Sequence, residues 1–110
     1  MAGSDLFTGS LDLLVLKATS WGPLHGYAIG RWIRQTTNAA LTIQEGALYP
    51  ALHRLERKGL LEEDWGVSET GREAKYYKIT AAGRRRLRAE SARWKEYADA
   101  VTLALAAGDA

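Results

Sequence analysis

Between residues 45 and 79 the apolar pattern changes its period, from one that suits a helix to one that suits a sheet. Leu48, Leu52 and Leu55 recur at spacings of four and three, which gathers them on one face of a helix from about Glu45 to Lys58. Gly59 is the natural stop, because glycine closes a helix in the left-handed conformation without a side-chain penalty. Pro50 lies inside this span. Proline is tolerated near a helix start, where amides have no helical partner, so the helix begins only a few residues before it. Beyond Gly59 the period is two. Leu60 and Leu61 lead into Glu62-Glu63-Asp64-Trp65 as one strand, and Ala74 to Ile79 reads as the return strand. The stretch Val67 to Arg72, with Gly66 and Gly71, is the turn of this hairpin. On the return strand Lys75 and Tyr77 share one face and Tyr76 and Lys78 the other, so only one of the two tyrosines can belong to a core.

The flanking segments read as helices. Residues 1–9 are expected to form a flexible N-terminal arm, with Ser10 capping a first helix that carries Leu11, Leu14, Val15 and Ala18 at helical spacing. Leu13 and Leu16 broaden that stripe, as expected of a helix buried on two sides. Trp21-Gly22-Pro23 ends it. His25-Gly26-Tyr27 opens a second helix, with Ile29, Trp32 and Ile33 inward and Arg31 and Arg34 outward. Thr80 caps the last helix, which runs to about Ala106 and repeats small or apolar residues as a 4-3 seam: Leu87, Ser91, Trp94, Ala98, Val101, Leu105. A helix of about 25 residues spans about 37 Å and would strand its apolar seam in water unless another helix covered it. The order predicts a mainly α (α+β) fold, a winged helix-turn-helix over 10–80 with a long C-terminal dimerisation helix over 81–107.

Composition narrows the chemistry. The chain has 110 residues, 46% of them hydrophobic, which suits one compact domain. It has no Cys, which removes disulfides and thiolate catalysis or metal binding. No stretch approaches the roughly 20 apolar residues of a membrane span, and the first ten residues lack a signal-peptide pattern. A cytoplasmic protein with no membrane partner is therefore expected. His25 and His53 have no acidic neighbours at metal-ligand spacing. No nucleophile–His–acid set, phosphate-binding loop or dinucleotide fingerprint is present, so neither an enzyme nor a cofactor is expected. The net charge is only +2, but residues 72–95 hold nine Lys or Arg against two Glu. A basic segment on an otherwise acidic chain reads either as a solvated helix face or as a surface for phosphate.

The stretch Leu11 to Leu105 resembles the PadR family of bacterial regulators in its short form, with a single C-terminal helix. The resemblance rests on His25-Gly26-Tyr27, on Glu45-Gly46-Ala47-Leu48-Tyr49-Pro50 leading into Leu52 and Arg54-Leu55-Glu56, on Gly59-Leu60-Leu61, and on Lys75-Tyr76-Tyr77-Lys78-Ile79-Thr80 with Gly83. Ala47 stands where the family usually has Thr, and Ala74 where a second basic wing residue is common. The resemblance implies a homodimeric repressor of transcription. Its third helix would enter the major groove of double-stranded DNA while the wing follows the adjacent backbone.

The residues agree with that implication. Opposite or beside its leucine stripe the third helix carries Gln44, Ala47, Tyr49, His53 and Arg54 as DNA-binding candidates. Gln44 suits adenine edges, Arg54 guanine or phosphate, and the Tyr49 hydroxyl phosphate. His53 reads as a solvated or packing residue as readily as a contact, and Tyr27 as a phosphate contact or a plain core residue. In the wing, Arg72 and Lys75 are the candidates. Leu11, Leu14, Val15, Leu87, Trp94, Ala98, Val101 and Leu105 are expected at the dimer interface. Some relatives hold flat aromatic molecules between their subunits against a Trp of the last helix. Trp94 fits that placement as well as that of a simple interface anchor, with Tyr97, Leu11 and Val15 lining the rest of a site for a small aromatic effector. The rival reading is a winged-helix module that binds protein and no operator.

Overall fold

The computed structural model describes residues 2–108, with side chains over 9–108. Helix α1 (Ala2–Thr19) leads through a two-residue strand β1 (Leu24–His25) into α2 (Gly26–Thr36) and α3 (Glu45–Arg57). Strands β2 (Leu61–Val67) and β3 (Glu73–Ile79) form the hairpin, and α4 (Ala81–Ala106) closes the chain. The strands make one antiparallel sheet in the order β1-β3-β2. The hairpin register runs from Leu61 opposite Ile79 to Val67 opposite Glu73, with Gly71 at φ +82° in the turn between them. This is a winged helix-turn-helix with a long C-terminal helix.

Each boundary has a local cause. The His25 side chain caps α2, its Nδ1 accepting from the Ala28 amide at 3.1 Å. Gly59 stops α3 at φ +74°, and the Leu60 amide turns back to the Leu55 carbonyl at 2.9 Å. Thr80 caps α4 by accepting from the Gly83 amide at 2.9 Å, while its hydroxyl donates to the Gly59 carbonyl at 2.7 Å. One threonine thus ties the end of α3 to the start of α4.

The core lies where α1 meets the other elements. Leu11, Val15, Leu16 and Ala18 of α1 pack with Ile29 and Ile33 of α2 and with Leu48, Ala51, Leu52 and Leu55 of α3. Leu60, Leu61, Tyr77 and Ile79 close it from the sheet. Burying each large side chain stabilises the fold by about 1.5–3 kcal/mol. Of the paired tyrosines Tyr77 is the core residue. Tyr76 packs edge-on against His25 at 5.4 Å between ring centres.

Two expectations need correction. Helix α1 already begins at Ala2, so residues 2–9 belong to the helix instead of forming an arm, and Ser10 lies inside the helix instead of capping it; Met1 lies outside the described residues. Strand β1 was not expected. Two residues carry no period of their own, and Leu24 and His25 become a strand only because Tyr77 and Tyr76 lie opposite.

Candidate nucleic-acid interface

Helix α3 divides into two faces, because each residue advances about 100° around the axis. Leu48, Ala51, Leu52 and Leu55 are buried. Gly46, Pro50, His53 and Arg57, at spacings of four, three and four, form the opposite stripe and are all exposed. Gln44 sits at the N-cap position in extended backbone (φ −71°, ψ 150°), exposed, and its side chain caps nothing. Arg57 belongs with His53 on the outward stripe. Its spacing of four from His53 and seven from Pro50 places it outward in the sequence too, although it is not among the DNA-binding candidates there.

One flank of α3 faces the wing. Lys75 reaches across from β3 and donates to Glu56 Oε1 at 3.0 Å, with its ammonium 5.1 Å from the centre of the Tyr77 ring. Burial pulls the Lys75 pKa down, but the hydrogen bond to Glu56 and the surrounding negative groups outweigh it, so the net shift is upward from 10.5. Burial pushes the Tyr77 hydroxyl above its ordinary 10.0, against the opposing pull of Lys75. Lys75 thus holds the wing to α3 as well as lining the surface beside it.

The same flank opens a cleft of about 520 Å³ between the start of α2, the side of α3 and the wing. Tyr27, Tyr49 and Lys75, three of the sequence-predicted DNA contacts, line it together with His25 and Arg31. Tyr27 is 65% exposed, which removes the core reading for it. The Arg31 guanidinium lies 5.4 Å from the Tyr27 ring centre, stacked one helical turn further along α2. Arg31 was seen only as an outward charge. Its spacing of four from Tyr27 was the signal that both line one surface.

The other candidates separate. Arg72 is exposed beside the wing turn, where its carbonyl accepts from the Ser68 amide at 2.7 Å. His53 is exposed, with Nδ1 3.8 Å from Glu56 Oε1. Ala47 is partly buried against the core. Arg54 is turned away from the outward stripe: its guanidinium donates to Asp12 Oδ1 of α1 at 2.8 Å, and its Nε is buried without a partner among the described residues. The carboxylate of Asp12, 42 residues earlier, already claims the Arg54 fork, so Arg54 would have to release it to contact a duplex. Within the basic stretch, Arg84 donates to the Ser20 carbonyl at 3.3 Å, while Arg85, Arg86 and Arg88 are exposed.

A second candidate surface runs along α4. Leu14 and Leu87 are partly buried against the protomer core. Beyond Leu87 the helix leaves the core: Trp94 is 42% exposed, Val101 37% and Leu105 81%, with Ala98 half-buried. Trp94 and Tyr97, ring centres 6.0 Å apart, form one side of a groove of about 230 Å³ against Ser10 and Leu13 of α1, with the Glu90–Arg93 ion pair at its end. Leu11 and Val15 are not on this surface. Both are buried in the protomer's own core, so they present nothing to a second subunit or a ligand. The two-sided apolar pattern of the first helix announced burial without saying which side faced its own fold; Leu13, one step round the helix, lines the groove instead.

Among the described residues no group of His, Cys, Asp or Glu could hold a metal ion, and no helix is long and apolar enough to cross a membrane. The model of the transcriptional regulator PadR-like family matches residues 14–89. An uncharacterized protein of Lysinibacillus sphaericus is 33% identical over 103 residues, spanning 94% of each chain. A transcriptional regulator from Clostridium thermocellum superposes with a TM-score of 0.79 at 30% identity, covering 89% of this chain and 95% of that one. A PadR family regulator from Eggerthella lenta gives 0.76 at 32% identity, covering 97% and 91%. With the helix order, the wing and the outward stripe of α3 already in place, the match over most of the chain settles its membership: this protein belongs to the PadR-like family of DNA-binding transcriptional regulators, which are not enzymes.

Proposed function

We propose that two copies of this chain form a homodimer that represses transcription from a pseudopalindromic operator. The observation that supports this reading is the exposed stripe Gly46, Pro50, His53 and Arg57 on a helix whose other face is locked into the core. Such a helix is rigid, and its outward side chains are few and ready for base edges. Tyr27, Tyr49, Arg31 and Lys75 beside it suit the phosphate backbone, which positions the helix without reading sequence. The exposed seam of α4 supplies the dimer contact. Two recognition helices must be held about 34–36 Å apart to meet successive turns of one duplex face. The groove at Trp94 and Tyr97 is the seat for a small aromatic effector. Its binding loosens the dimer geometry and releases the operator.

Titration of the wild-type protein against duplex DNA at increasing salt tests the reading. Affinity should fall steeply and linearly on logarithmic axes, as counterions return to the phosphates. A flat response, or no binding even at low ionic strength, favours the protein-interaction module and ends the proposal.

A further inference from the structure

The first turns of α3 hold three residues that weaken a helix, and among the described residues only the acidic Glu45 of the first turn works the other way. Gly46 is the second residue of this helix, and glycine is the least favourable helical residue after proline. Three other glycines have internal reasons, whereas Gly9 and Gly30, like Gly46, show neither a clash nor a positive φ. A side chain at Gly26 would collide with Tyr49, one at Gly83 with the Leu60 carbonyl, and Gly59 has a φ of +74°. None of these applies at Gly46. Its φ is not positive, and a Cβ built there meets no atom within 4 Å. Gln44, two residues earlier, occupies the N-cap position without a capping hydrogen bond, which Ser, Thr, Asp or Asn would supply. Pro50, one turn later, has no amide hydrogen to return to the Gly46 carbonyl. These three choices share one end of one helix, and Gly46 and Pro50 share its outward stripe.

Local choices that oppose the fold without an internal gain mark a surface shaped for something outside it. We infer that Gly46 is the point of closest approach between α3 and the duplex. Its bare backbone lies against the wall of the major groove, a fit that a methyl group would hold open, and Gln44 is left uncapped so that its amide reaches a base edge. This rests on the reading of the chain as a duplex-binding regulator and adds to it the residue that sets the depth of insertion.

The test compares Gly46→Ala with Gly30→Ala, using the duplex recovered by genome-wide footprinting of the wild-type protein. Gly30 is also helical, and a Cβ there would make an ordinary contact with Leu48 at 3.6 Å. Both substitutions should raise the melting temperature, by about 4 °C. Gly46→Ala should nevertheless lose at least about tenfold in duplex affinity with an unchanged salt slope, because no charge is altered. Gly30→Ala should bind as the wild type does. A Gly46→Ala protein that is stabilised and binds as tightly as the wild type overturns the inference and leaves the function standing. A melting temperature that falls also overturns it, since Gly46 would then have an internal role. Failure of the wild-type protein to bind any duplex removes both.

Discussion

The Tyr49 ring fills the space that a side chain at Gly26 would need: a Cβ built on Gly26 falls 2.5 Å from the Tyr49 hydroxyl oxygen and 2.7 Å from its ring. The start of α2 and the wing-facing flank of α3 therefore meet with no room to spare. Gly26→Ala should destabilise the fold by about 1–3 kcal/mol, the usual range for overpacking. In a Tyr49→Ala background the same change should be nearly neutral, because the obstructing ring is gone. The two substitutions then couple by about 1 kcal/mol or more in a double-mutant cycle read by chemical denaturation. Additive losses would mean that the ring and the glycine do not constrain one another.

Arg54 gives the second prediction. Its bond to Asp12 at 2.8 Å joins α3 to α1, with the two side chains 29% and 17% exposed. Asp12→Ala leaves a partly buried guanidinium without its carboxylate, and should cost about 1–3 kcal/mol. Arg54→Ala should cost a similar amount and leave duplex affinity close to that of the wild type once the protein is fully folded. A loss of more than about tenfold in affinity (about 1.4 kcal/mol) at retained stability would return Arg54 to the DNA surface.

The contrast between Arg54 and its neighbours shows what a sequence discloses here. The span of α3, the hairpin and the Thr80 cap depend on residues within a few positions of one another, so period, Gly59 and cap chemistry were enough to place them. His53 falls off the leucine face for the same reason. The pairing of Arg54 with Asp12 depends on how α1 crosses α3, which no local pattern encodes. Leu11 and Val15 failed in the same way: a helix apolar on several sides announces burial, but its own fold and a partner subunit look alike in the pattern. Strand β1 is the extreme case, two residues whose conformation is set by Tyr76 and Tyr77 some fifty positions later.

Alkaline pH probes the contact between wing and recognition helix. Burial lowers Lys75, but its hydrogen bond to Glu56 and the charges of Tyr77, Glu56 and Glu63 together raise it above its ordinary 10.5; Tyr77 is raised above 10.0 by burial. Both groups keep their protons longer in the folded chain than in the unfolded one. Their contribution is complete below about pH 10 and is lost as pH rises through the folded values, because the unfolded chain deprotonates first. Thermal unfolding from pH 8 to 11 should show stability falling above about pH 10. Tyr77→Phe should make that fall shallower, and so should Lys75→Met. A slope unchanged in both variants would dissociate these groups from the alkaline loss.

The exposed seam of α4 carries the last prediction. Val101 lies seven residues after Trp94 on the same helical stripe, is 37% exposed, and is absent from the protomer core. A charge placed there meets water in a single chain but is buried and unpaired if two α4 helices pack together. Each unpaired charge at such an interface costs about 3 kcal/mol or more. Val101→Asp should therefore sediment as a monomer at concentrations where the wild type is a dimer. Its melting temperature should no longer depend on concentration, as expected once assembly is uncoupled from folding. Its far-ultraviolet circular dichroism should retain the helical signal, since α1, α2 and α3 do not use Val101. Affinity for a two-half-site duplex should fall to that for a single half-site, because the second recognition helix is no longer held in register. A Val101→Asp protein that remains dimeric and keeps full operator affinity would place the subunit contact elsewhere, and Trp94 and Leu105 would need another explanation for their exposure.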